Sequence, residues 1–359
     1  MKRIVLVLLL IVLLCSLFGG CGFWMDGDYL SVKPNEAQAE LTGDVIKEVT
    51  SYPQMRQALV DCVEECSEKC LVSIPSSSSA IVVYYIQTAI NDVMNNTATG
   101  AYAVDDITYE LGTNRGNTVI AFDISYLHSR ADVLGMQKVR NTDEMISAVQ
   151  DALKQADAYV VMRANSYEQI DIEQLVEEYA NMHPDIVMEV PKVGVFVYPN
   201  KGSERIVEVT FTYLTDRETL RRMQDQVSAV FTSAELYVRE TTNVMDTYSR
   251  LFSFLMKRSE YELGTSITPA YTLLHHGVGD SRAFANVYAA LCRDAQLTSK
   301  VVSGTRDGEP WCWNVVRFRG VYYHVDLLRC NEEGKFTKRT AAEMTGYVWD
   351  YSAYPEKES

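Results

Sequence analysis

The chain has 359 residues, 47% hydrophobic and 23% charged, a balance that excludes wholesale disorder and suits two domains or three small ones. A formal charge of −15 excludes a basic nucleic-acid-binding surface and predicts little attraction to anionic lipid headgroups. Eight cysteines are too few to act as the scaffold of a chain this long.

Lys2 and Arg3 precede an almost unbroken apolar run from Ile4 to Phe18, followed by Gly19-Gly20-Cys21. Fifteen apolar residues fall short of the roughly 20 that span a membrane, and the layout is that of a signal peptide. The block Leu17-Phe18-Gly19-Gly20-Cys21 resembles a bacterial lipobox. That resemblance implies cleavage after residue 20, lipidation of Cys21 and anchoring to the cell membrane through the lipid. An uncleaved N-terminal anchor is the other reading; both place the remaining chain outside the cytoplasm. The resemblance implies that residues 1–20 are a lipoprotein signal peptide. Residues 21–45, rich in Gly, Pro, Asn, Gln and acids with little periodicity, read as a tether.

Over the next 180 residues or so an internal repeat organises the sequence. Tyr126-Leu127-His128-Ser129-Arg130 with Met136-Gln137 is matched by Tyr213-Leu214-Thr215-Asp216-Arg217 with Met223-Gln224. Upstream, Met55, Ala58 and Leu59 correspond to Met145, Ala148 and Val149. Repeat one (46–139) predicts helix 53–69, strand 71–74, helix 80–95 and strands 106–111 and 118–126 about a Gly116 turn. Repeat two (140–225) predicts strand 158–163, helix 170–182 and strands 187–198 and 204–213 about Gly202. Two αβαββ modules follow, with no nucleophile–base pair, metal constellation or phosphate loop in either, so the region reads as spacer or recognition surface. Cys62, Cys66 and Cys70 lie four apart. Cys62 and Cys66 would share a helix face, and core packing or a disulfide is favoured there over a metal site.

Residues 226–359 begin with a helical lead-in to about residue 258, apolar at Val227, Val230, Phe231, Met245, Tyr248, Leu251, Phe252 and Leu255. Three blocks then stand in order: Pro269-Ala270-Tyr271 with Gly277-Val278-Gly279-Asp280-Ser281-Arg282-Ala283-Phe284-Ala285, Lys300-Val301-Val302-Ser303-Gly304, and Trp311-Cys312-Trp313-Asn314-Val315-Val316. Gly320-Val321-Tyr322-Tyr323-His324-Val325-Asp326 completes the set. Over roughly 240–350 these blocks resemble the bacterial transglutaminase-like superfamily. The fold class is therefore α+β, duplicated αβαββ modules followed by a transglutaminase-like (papain-like) α+β domain.

The resemblance implies a Cys nucleophile at a helix start, a His base and an orienting Asp, the logic of a papain-like triad. Here those positions carry Ser281, Trp311 and Asp326. A serine hydroxyl needs an adjacent base, and an indole donates a hydrogen bond but accepts no proton. Three imidazoles are candidate substitutes for the base: His275 and His276 on the approach to Ser281, and His324, two residues before Asp326 on the same strand face. The plainer readings are packing ones. Asp280 is an N-cap, Phe284, Tyr288 and Leu291 form a buried stripe, and Trp311 and Trp313 fill a core. Cys312 and Cys330 flank a hairpin near Arg319-Gly320 and can bridge if register allows, while Cys292 stands apart; connectivity stays open. No cofactor and no metal is implied.

Two functions compete on this sequence. One is an extracytoplasmic lipoprotein whose inactive transglutaminase-like domain binds or scaffolds at the cell envelope, its ligand a protein or cell-wall peptide and not nucleic acid. The other is a divergent serine-dependent amidase, peptidase or acyl-transferase using Ser281, a recruited His and Asp326.

Overall fold

A computed structural model describes residues 46–264 and 266–354; the expected signal peptide, Cys21 and the tether lie outside them. The architecture is mixed α+β. Among the described residues no helix is long and apolar enough to cross a membrane.

The first sheet contains β1 (Ile46–Glu48), β2 (Lys69–Ile74), β3 (Val104–Asn114) and β4 (Asn117–Tyr126), in the order β1-β2-β4-β3. β1 runs parallel to β2 and the other pairs are antiparallel. Alternation along β2 buries Cys70, Val72 and Ile74 against α1 (Tyr52–Glu64), whose Met55, Ala58, Leu59, Cys62 and Val63 make one apolar stripe. The single helix expected over 80–95 is two, α2 (Ser79–Tyr84) and α3 (Ile86–Asn96), broken at Tyr85. The break lets Val82 and Ile86 both face the core while Tyr84 stays exposed. A further short helix, α4 (Ala98–Ala103), is capped by the Thr97 hydroxyl, which accepts from the Gly100 amide at 3.1 Å.

After α5 (Arg130–Leu134) the second sheet contains β5 (Gln137–Val139), β6 (Tyr159–Ala164), β7 (Lys192–Tyr198) and β8 (Arg205–Thr212), in the order β5-β6-β8-β7. Strand order and strand senses repeat those of the first sheet. Both sheets begin with a three-residue strand that an αβαββ reading omits, since three residues carry too little alternation to be seen. β5 also precedes residue 140, so the second sheet begins ahead of the boundary drawn from the repeat. α6 (Thr142–Lys154) and α7 (Ile172–Met182) are capped by Asn141 and Asp171, and Met145, Ala148 and Val149 are buried as Met55, Ala58 and Leu59 are. The strand expected from residue 187 starts only at Lys192. The preceding turn buries Glu189, whose carboxylate accepts from the Leu214 and Thr215 amides at 2.5 and 3.1 Å.

The modules meet where Tyr102 and Ala103 of α4 pack on Ile206 of β8. Arg163 donates there to Glu64 (3.1 Å) and to Glu204 (2.8 Å), and Thr99 donates to Glu64 (2.7 Å).

α8 (Arg217–Val238) starts on the Asp216 cap and runs on without a break. Its Val227, Phe231, Ala234 and Val238 enter the core built by α9 (Val244–Met256) and α11 (Ser281–Asp294), so a boundary at residue 226 falls inside a helix. Between these come β9 (Glu260–Tyr261), the short turn α10 (Pro269–Tyr271) and β10 (Val278–Gly279). The third sheet is antiparallel, with β11 (Ser299–Arg306), β12 (Glu309–Phe318), β13 (Val321–Val325) and β14 (Tyr347–Trp349) in the order β13-β12-β11-β14. One face packs Val316 and Val325 with Phe284, Tyr288 and Leu291 of α11. The opposite face buries Val302, Trp313, Val315, Tyr347 and Trp349. α12 (Leu327–Glu332) follows β13 directly.

Candidate functional site

The approach to α11 is pinned by backbone contacts. The Glu260 and Glu262 amides donate to the Gly277 and Gly279 carbonyls at 2.7 and 3.0 Å. Gly277 sits at φ +76°, where a Cβ would stand 2.8 Å from the Arg258 carbonyl oxygen, so only glycine fits without strain. Asp280 then caps the helix by accepting from the Ala283 amide at 2.8 Å, and Ser281 occupies the first helical position. Its neighbour Asn314, fully buried on β12, donates to the Ala285 carbonyl at 2.9 Å and locks strand to helix.

This packing brings Ser281, Trp311 and Asp326 to one place. The Ser281 hydroxyl is buried and accepts from the Cys312 amide at 3.2 Å, its one hydrogen-bond partner among the described residues. Trp311, the preceding residue, donates its indole N–H to Asp326 Oδ2 at 3.0 Å. Asp326 is 1% exposed and saturated with donors. Its Oδ1 caps α12, accepting from the Leu328 and Arg329 amides at 3.0 and 3.2 Å. Its Oδ2 also takes the Tyr347 hydroxyl at 2.6 Å and faces Arg306 at 3.5 Å. Burial first, and then the Asp326 charge, push the Tyr347 phenol well above its ordinary range, so it remains a donor. Arg306 continues to Glu332 at 2.9 Å and lies over the Trp311 ring at 5.3 Å.

His275 and His276 stand apart from this group, and His324 adjoins it through Trp313. His275 and His276 are exposed and stack about Tyr271, with ring centroids 4.8 and 5.4 Å away. His324 lies on the sheet face that carries Asp326's partner Tyr347: its Nδ1 accepts from the Trp313 indole at 2.9 Å, its ring is 4.6 Å from Trp349, and the Trp313 and Tyr347 rings are 5.1 Å apart. Asp326 itself follows the end of β13 and opens α12.

The cysteines depart from the sequence reading. Cys330 is on α12, not on a strand beside Cys312, and contacts Thr337, while Cys312 contacts Ser303 at 3.6 Å. Cys62 and Cys66 do not share a helix face because α1 stops at Glu64. Cys66 packs at the module junction, and Cys62 with Cys70 in the first core. All six described cysteines, including Cys292, are free. No cluster of three His, Cys, Asp or Glu side chains suited to a metal occurs among the described residues.

Tyr347, Arg306 and Glu332 belong to the site and carry no motif that announces them. Tyr347 reaches Asp326 because β14 lies at the far edge of the sheet beside β11, a neighbour relation with no sequence periodicity behind it. Two cavities flank the start of α11. One of about 250 Å³ is lined by Glu262, Pro269, Thr272 and Asp280. The other, of about 530 Å³, lies between α11 and the second module and is lined by Glu173, Glu177, Val190, Lys192, Asp280 and Arg282.

Residues 232–327 match the model of the transglutaminase-like superfamily, a span that contains Ser281, Trp311 and Asp326. Among solved structures, a TGase is similar at 12% identity and TM-score 0.28, over 59% of this chain and 64% of that one. A candidate cysteine protease from Cytophaga hutchinsonii is similar at 15% identity and TM-score 0.27, over 44% and 70% of the two chains. A candidate protease from Parabacteroides distasonis is similar at 9% identity and TM-score 0.23, over 76% and 40%. The chain thus spans less than two thirds of the first of these. No curated protein matches.

Proposed function

We propose that the transglutaminase-like domain is a binding or scaffold module that does not turn over its ligand, held at the outer side of the membrane by a lipidated Cys21. The observation that carries this reading is the Trp311 indole. At the position where the resembled family has its base, the indole donates to Asp326 at 3.0 Å and offers no lone pair to a proton. Ser281 therefore has a backbone amide for company and no base, and at neutral pH it stays a neutral hydroxyl. The helix start and the adjoining cavities remain suited to a carbonyl or amine group of a protein or cell-wall peptide.

The test is incubation of the full chain with a fluorophosphonate probe and with activated ester and glutamine-containing peptide substrates. No covalent adduct at residue 281 and no turnover are expected. Turnover that Ser281→Ala abolishes would favour the serine-dependent amidase or acyl-transferase instead, and His275, His276 and His324 would be the next residues to replace.

Anchoring is tested separately. Intact-mass analysis of the mature protein should give an N-terminus at Cys21 bearing acyl chains. A mature chain that still starts at Met1, or that starts elsewhere without acyl mass, refutes the anchor.

A further inference from the structure

The two module sheets place their third strands, β3 and β7, at equivalent outer edges, yet the two edges differ in chemistry. β3 carries exposed Asp105, Asp106 and Glu110, the kind of charge that keeps a strand edge from pairing with another chain. β7 reads Lys-Val-Gly-Val-Phe-Val-Tyr and has no charge after Lys192. Val195 is 38% exposed and Phe196 50%.

β7 pairs with β8 alone. Its outward N–H and C=O groups have no backbone partner among the described residues. A row of alternating donors and acceptors about 23 Å long, at ~3.3 Å per residue, is complementary to another extended backbone and to little else.

The head of this edge opens onto the candidate site. Val190, Pro191, Lys192 and Val193 line the cavity of about 530 Å³ together with Asp280, Arg282 and Asn286 of α11. Three carboxylates border it (Glu173, Glu177 and Asp280) against two cations, Lys192 and Arg282. Arg282 stands 3.9 Å from Glu177, and the lining as a whole carries one more carboxylate than cations.

We propose that the outer edge of β7 docks an extended segment of a partner polypeptide as a fifth strand, apolar along the edge and basic where it enters the cavity beside α11. This edge is separate from Ser281, so its failure would leave the non-turnover reading standing, and turnover at Ser281 would leave the edge untouched.

The experiment uses the full chain and a fluorescein-labelled nine-residue peptide that alternates valine and threonine with a lysine at each end. Fluorescence anisotropy should rise to saturation. Val195→Lys with Phe196→Lys should weaken binding at least tenfold. The matching change on the other edge, Thr108→Lys with Glu110→Lys, should leave it unaltered, which separates edge pairing from net charge. A peptide ending in glutamates should bind at least threefold more weakly. Hydrogen exchange of the β7 amides should slow when the peptide is present, a readout that needs no variant.

Absence of saturable binding, or equal loss from the two edge variants, overturns the proposal. So does a wild-type dimer in sedimentation that Val195→Lys with Phe196→Lys dissolves, because the occupant would then be a second copy of this chain. If the double variant melts early, Phe196→Lys alone takes its place.

Discussion

Ser281→Cys combined with Trp311→His should yield a thiol that reacts with iodoacetamide at least a hundredfold faster near pH 7 than Ser281→Cys alone. A cysteine at the first position of α11 lies in the positive end of the helix dipole, which favours its thiolate. An imidazole at 311 would inherit the contact that the indole now makes with Asp326 at 3.0 Å. One ring nitrogen would then donate to the carboxylate and the other would be free to exchange a proton with residue 281. General-base assistance of this kind is worth about 10²–10⁴-fold. Trp311→His alone supplies a base with no thiol to act on, and Ser281→Cys alone a thiol with no base, so the gain should be strongly non-additive. Rates of alkylation measured by mass spectrometry at residue 281 across pH 5–9 give the answer. Equal rates in the double and Ser281→Cys variants would mean that the three positions no longer hold a triad's geometry.

Asp326→Ala should destabilise the C-terminal domain by about 3–5 kcal/mol, the range for breaking a buried charged network from one side. The substitution strips the cap from α12, worth about 1 kcal/mol. It also leaves the Tyr347 hydroxyl and the Trp311 N–H without their acceptor in a buried place. Arg306 keeps Glu332, which limits the loss. Asp326→Asn should lose less, since an amide oxygen still accepts from the backbone. Ser281→Ala should change stability by less than about 1 kcal/mol, because a single amide contact is removed. Thermal melting of the three variants gives the ranking. An Asp326→Ala protein that melts within two degrees of the wild type would show that this carboxylate is not the organising group of the site.

Periodicity reached the long elements and stopped at the short ones. The alternation in β2 and the stripes of α1, α6 and α7 were legible because burial on one face imposes a period. β1 and β5 were not, because a three-residue strand owes its existence to the neighbour it pairs with. The break at Tyr85 and the late start of β7 reflect tertiary contacts, Val82 with Ile86 in one case and buried Glu189 in the other. For the site, the resembled motif named Ser281, Trp311 and Asp326, and the sheet brings them together. It gave no warning of Tyr347, 21 residues further on, since strand order is a global property. His324 sits on the face that strand alternation gives it, beside Trp313, but its ring nitrogen is taken up by that indole.

α8 has 22 residues, about 33 Å at 1.5 Å per residue. It starts among second-module contacts, with Arg217 donating to the Gln155 carbonyl at 3.0 Å, and ends inside the C-terminal core. Arg293 of α11 adds a second tie, donating to Asp185 at 2.9 Å. A shared beam with a cross-brace has no hinge to freeze. A ligand long enough to touch both the second module and the start of α11 would meet two surfaces at a fixed bearing, so its second contact forms at high effective concentration instead of against the entropy of a swinging joint. Two individually weak grips on one chain can in this way add to firm retention without any bond being made or broken.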